Sequence, residues 1–89
     1  MIEEKRRFKA MLEGFPDIAA YWDLDAMKTT LKSSEGLPLS SGELILVDFF
    51  LSIWFGRTVN FDFIRAAERL SNDNKILIMD WFMHPYYPR

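Results

Sequence analysis

Apolar residues recur at three- and four-residue spacing through much of this sequence, the signature of helices with one inward face. Phe8, Met11, Leu12 and Phe15 fall at i, i+3, i+4 and i+7 and define a first helix. Its opposite face pairs Glu3 with Arg7 and Lys9 with Glu13 at i, i+4. Gly14 and Pro16 stop it, because a proline disfavours α geometry in the residue before it. Pro16 suits the first turn of the next element, PDIAAYW, with Asp17 favourable at a helix N-terminus. Asp23 is placed to cap a further helix, LDAMKTTLKSS, whose Leu24, Met27 and Leu31 share a face. Residues 16–33 therefore read as one kinked helix or two short ones, with two preferred.

Between Ser41 and Gly56 the periodicity vanishes because nearly every position is apolar: SGELILVDFFLSIWFG, broken by Asp48 and Ser52. A helix of that kind must be enclosed. A bilayer span needs ~20 mostly apolar residues, so the segment is expected to be the central helix of a water-soluble fold. Gly36 and Pro38 mark the preceding SSEGLPL as a loop. Ser40 and Glu43 have capping-box spacing, and Gly56 suits a left-handed helix end. Asp48 and Ser52, four apart, mark the edge expected to meet water.

After the connector GRTVN, where Val59 and Phe61 offer a local extended pairing, Asn60 or Asp62 caps FIRAAERL. Its Phe63, Ala66, Ala67 and Leu70 are expected inward. Ser71 caps a last helix, NDNKILIMDWFM, apolar from Ile76 to Met83 except at Asp80 and so expected to be largely buried. Pro85 ends it, leaving 83–89 as an irregular C-terminal tail. The fold class expected is all-α. Residues 1–89 form a single small domain of four to five short helices, packed as an irregular orthogonal bundle around the central apolar helix.

Composition changes this picture little. Apolar residues at 49% and charged residues at 27% are ordinary for a globular chain, whereas aromatics at 16% are abundant. Net charge is −2. Residues 1–14 and 63–89 each carry four bases against three acids, and residues 15–62 carry three against seven. The basic stripe of a nucleic-acid binder is missing. Without cysteine there is no disulfide, thiolate metal site or cysteine nucleophile. The charged, amphipathic start does not read as a secretory signal, and cytoplasmic localisation without a membrane partner is expected.

Candidate chemistry is sparse. The helix pair at 61–83 has helix-turn-helix spacing, but its second helix would offer KILIMDWF to base edges, with Lys75 as its only base. Asn60 and Asp73 each begin acid- and amide-rich runs faintly like a calcium loop. The required Gly and Glu positions hold Arg65 and Ser71 from the first start, and Ile78 and His84 from the second. His84 is the single histidine, and neither Asp23 with Asp25 nor Glu43 with Asp48 has a helical pair spacing. No enzyme activity, metal or cofactor is expected. The aromatic surplus points to protein recognition, with Tyr21, Trp22, Trp81, Tyr86 and Tyr87 as candidate partner-binding residues, of which Trp22, Tyr86 and Tyr87 border turns or the tail. Trp54 and Trp81 are expected in the core.

The expected function is a small cytoplasmic protein–protein interaction or regulatory domain, a homodimer being one form. The alternative is a nucleic-acid-associated helical regulator using Arg57, Arg65, Arg69 and Lys75. A third reading, small-ligand binding, requires an enclosed aromatic cavity.

Overall fold

The computed structural model describes residues 2–89, with the backbone alone at Ile2. In chain order it comprises α1 (Ile2–Glu13), α2 (Pro16–Ala19), β1 (Trp22–Asp23), β2 (Lys28–Thr29), α3 (Ser41–Phe55), α4 (Phe63–Arg69) and α5 (Asn72–Met83). Helices occupy 56% of the chain, and a two-stranded antiparallel hairpin replaces the helix expected after Asp23. The fold is therefore mostly helical rather than all-α.

Local chemistry explains the replacement. Asp23 Oδ1 accepts the Ala26 N–H at 3.0 Å, closing a turn instead of capping a helix. Met27 takes φ 54°, which no right-handed helix admits. Trp22 pairs with Thr29, and the Thr29 hydroxyl donates to the Tyr21 carbonyl at 2.8 Å. The segment is rich in Asp, Thr and Ser, weak helix formers whose side chains compete for backbone hydrogen bonds. No strand forms at Val59 or Phe61; Val59 is buried, and its N–H donates to Ser52 Oγ at 2.9 Å.

Helix α3 is held at both ends by the expected devices. Ser40 Oγ accepts from the Glu43 N–H at 3.2 Å, and Glu43 Oε1 accepts from the Ser40 N–H at 3.1 Å. Gly56 closes the helix at φ 67°, a left-handed geometry that costs little without a Cβ. From Ile45 to Trp54 every residue except Ser52 is buried.

Phe8 of α1 inserts against this helix, with ring centroids 6.4 Å from Phe50, 5.5 Å from Trp54 and 5.9 Å from Trp22. Such aromatic pairs contribute ~0.5–1.5 kcal/mol each beyond their buried area. Leu12 and Ile18 complete the seal, both fully buried. The exposed side of α1 carries Glu3–Arg6 at 3.6 Å rather than Glu3–Arg7, because Arg7 turns toward the tail. Among the described residues no helix is long and apolar enough to cross a membrane.

Asp62 and Ser71 cap α4 and α5 by accepting the Arg65 and Asn74 N–H groups at 3.0 and 3.3 Å. Two inward-face expectations fail here. In α4 only Ala66 is buried, with Leu70 just beyond it, while Phe63 and Ala67 face out. In α5 no residue is buried. The radius of gyration, 12.1 Å, matches the ~12 Å expected for a compact chain of this length, so the exposure does not come from a loosened core.

Burial predicts a steep contrast in urea denaturation. Phe50→Ala, within the core, should cost ~3–5 kcal/mol, and Ser40→Ala about 1 kcal/mol through the lost cap. Phe82→Ala, on the exposed side of α5, should stay within ~0.5 kcal/mol in dilute solution.

Candidate interaction surface

The five aromatics singled out from sequence lie in two separate places. Trp81, Tyr86 and Tyr87 come together where the tail folds back over α5. Trp81 Nε1–H donates to the Tyr86 carbonyl at 2.9 Å, and its ring lies edge-on to Tyr87 and Phe49 at centroid distances of 5.8 and 5.7 Å. Tyr86 is buried under the Arg7 guanidinium, 4.2 Å from its ring centroid, and its hydroxyl donates to Met11 Sδ at 3.6 Å. Arg7 also donates to the His84 carbonyl at 3.3 Å. Residues 84–89 thus lack regular structure yet are fastened to α1 and α5, with Tyr86 and Pro88 buried. Burial raises the Tyr86 hydroxyl's pKa; Arg7 opposes the shift and Asp80 adds to it.

Tyr21 and Trp22 lie apart, beside Trp54, Phe55 and Arg89 along a shallow groove of about 630 Å³. Trp22 is buried within the Phe8–Trp54 cluster, and its Nε1–H finds no acceptor among the described residues. Trp54 is core, whereas Trp81 is half-buried at the surface.

A further set of exposed apolar side chains is one that the sequence pattern concealed. Phe63 and Ile64 of α4, with Ile76, Met79, Phe82 and Met83 of α5, are each 62–77% exposed. On α5, Asn72, Ile76, Met79 and Met83 follow one another at spacings of four, three and four, a single outward stripe. The inward stripe is Leu77, Ile78 and Trp81, all half-buried against the core. An apolar-lined groove of about 170 Å³ separates α4 from α5 between Phe63, Ala67 and Met79. A second, about 330 Å³, opens between Phe63, Phe82, Arg57 and Tyr87. These hollows are open grooves, not the enclosed cavity a buried small ligand requires.

Asp48 and Ser52 are not the wet edge of α3. Asp48 is 9% exposed; its Oδ1 and Oδ2 accept the Ser34 N–H and hydroxyl at 3.0 and 2.8 Å. Ser52 Oγ donates to the Asp48 carbonyl at 2.7 Å while accepting from Val59. This pair pins two irregular segments to the central helix. Burial raises the Asp48 pKa above 3.8, and the Ser34 bonds partly counter it. Among the described residues no group of three or more His, Cys, Asp or Glu could hold a metal. No family model matches the chain, and neither a curated protein nor a solved structure does so.

The Asp48 shift has a defined sign. A carboxyl whose pKa is raised by folding favours the folded state when protonated, so its stabilising effect is full below 3.8 and disappears as pH rises through the folded value. Urea titrations across acid pH should show wild type losing stability relative to Asp48→Asn as pH rises.

Proposed function

We propose that the chain is a small cytoplasmic interaction or regulatory domain without catalysis, an irregular orthogonal bundle that offers its α4–α5 face to another polypeptide. The observation that carries this reading is that six large apolar side chains of α4 and α5 stand in water, Phe63 lining one groove with Met79 and another with Phe82. Large apolar side chains exposed together on neighbouring elements mark docking surfaces in compact proteins. Two of the six are methionines, whose flexible thioethers adapt to irregular partner surfaces.

Other features agree with a binding role. Both oxygens of the buried Asp48 carboxylate are engaged by Ser34, and His84 is exposed at the end of α5, so neither is poised as an acid or base. The nucleic-acid reading has less support, since the outward stripe of α5 presents Ile76, Met79 and Met83 where base-reading side chains would have to stand.

Immobilised wild type and Met79→Glu, each checked for helix content by circular dichroism, should differ in what they retain from a native lysate. At least one polypeptide held by wild type should be lost with Met79→Glu and kept with Asp17→Ala, on the exposed surface of α2. Identical eluates from all three proteins, with no self-association lost in Met79→Glu, would refute this docking face.

A further inference from the structure

We propose that the occupant of this face is a second copy of the chain, docked along α5 so that the two α5 helices run parallel and Lys75 of each meets the partner's Asp80. This rests on the α4–α5 face being a docking surface and adds the partner, the direction and the pairing.

The argument begins with the outward stripe. Its four–three–four spacing places Ile76 and Met83 at a positions of a heptad, and Asn72 and Met79 at d positions. Lys75 then occupies g, while Asp73 and Asp80 occupy e. The two edges of the stripe therefore differ in sign. Lys75 borders the groove toward α4, whereas Asp73 and Asp80 border the groove toward α1, where Arg7 and Tyr86 also lie. Among the described residues neither Lys75 nor Asp80 has an ion-pair partner.

Symmetry then decides direction. In an antiparallel two-fold pair, like edges lie side by side, which brings Asp73 and Asp80 of one helix along the same two carboxylates of the other. Like charges so placed are repulsive. In a parallel pair the edges are exchanged, and each g residue faces the e residue five positions later on the partner. Lys75 and Asp80 are separated by five. The two-fold axis makes this contact twice, and Asn72 meets its own copy at a d position.

The seam is short. Twelve residues rise ~18 Å, too little for an isolated coiled coil, but α5 is already formed against the core, so its ordering is not charged to association. An interface of this extent belongs to the small, reversible class. The exposed charge pair contributes little affinity and serves to select parallel over antiparallel.

Sedimentation velocity of the full chain, from ~5 to ~500 µM at low salt, covers the range expected for such a contact. The weight-average mass should rise from 10.5 kDa toward twice that value. Met79→Glu should require at least a ~10-fold higher concentration for the same rise. Lys75→Asp and Asp80→Lys should each weaken association about 3- to 10-fold, and the double variant should return to within about twofold of wild type. Oxidised Asn72→Cys should give a covalent dimer, which an antiparallel seam would not.

A constant 10.5 kDa across the range overturns the second-copy inference. So does association indifferent to Met79→Glu, or charge reversals that do not compensate. These failures are separable from failure of the docking reading. A chain that stays monomeric but retains a polypeptide in a Met79-dependent manner keeps the docking face and loses the second copy. One that does neither loses both.

Discussion

A fifteen-residue helix with apolar side chains on all sides has no orientation in which one face can remain wet, and the enclosure of α3 sets the terms for every other element. Each Leu, Ile, Val or Phe it withdraws from water contributes ~1.5–3 kcal/mol, so any arrangement leaving α3 half open forfeits more than a short helix elsewhere can return. Covering it consumes the apolar stripe of α1, Ile18, the hairpin's Trp22, Ala66 and Leu70 around α4, and Tyr86 from the tail.

Enclosure also turns the two polar side chains in the middle of α3 from solvated groups into anchors. A buried carboxylate left without partners is costly, and the chain meets that demand with the backbone and hydroxyl of Ser34. Ser52 does the same for Val59. The loop before α3 and the connector after it are thereby placed without regular structure of their own. The tail is held by different means: stacking of Arg7 on Tyr86 and donation from Trp81 to the Tyr86 carbonyl.

Helix α5 is left over from this economy. Its inward stripe meets the remaining margin of the core, and among the described residues no element covers its outward stripe. An exposed row of isoleucine and methionine is an aggregation hazard unless a partner occupies it reversibly. The charges along its edges, basic on one side and acidic on the other, make it complementary to itself in one direction and repulsive in the other.

Features whose chemistry is completed within a few residues could be read directly. The stripe of Phe8 and Leu12, the Ser40–Glu43 capping box, the Gly56 terminus and the caps at Asp62 and Ser71 all involve contacts inside one helical turn or one helix face. The candidate aromatics were readable as residue types, but not as a place: Tyr86 and Trp22 satisfy separate parts of the interior. The hairpin at 22–29 escaped because Asp23 can close a turn as well as cap a helix. The choice between them rests on Trp22 reaching the Phe8–Trp54 cluster. Likewise, an apolar run shows that a helix seeks cover without showing how much cover exists. α3 is enclosed and α5 is not, although residues 76–83 of α5 are apolar except at Asp80, because cover is a quantity shared among all the packed elements. The sequence alone determined where α1, α3, α4 and α5 form and where they stop; three-dimensional packing decided that residues 22–29 become a hairpin, which helix lies inside and which is left facing water.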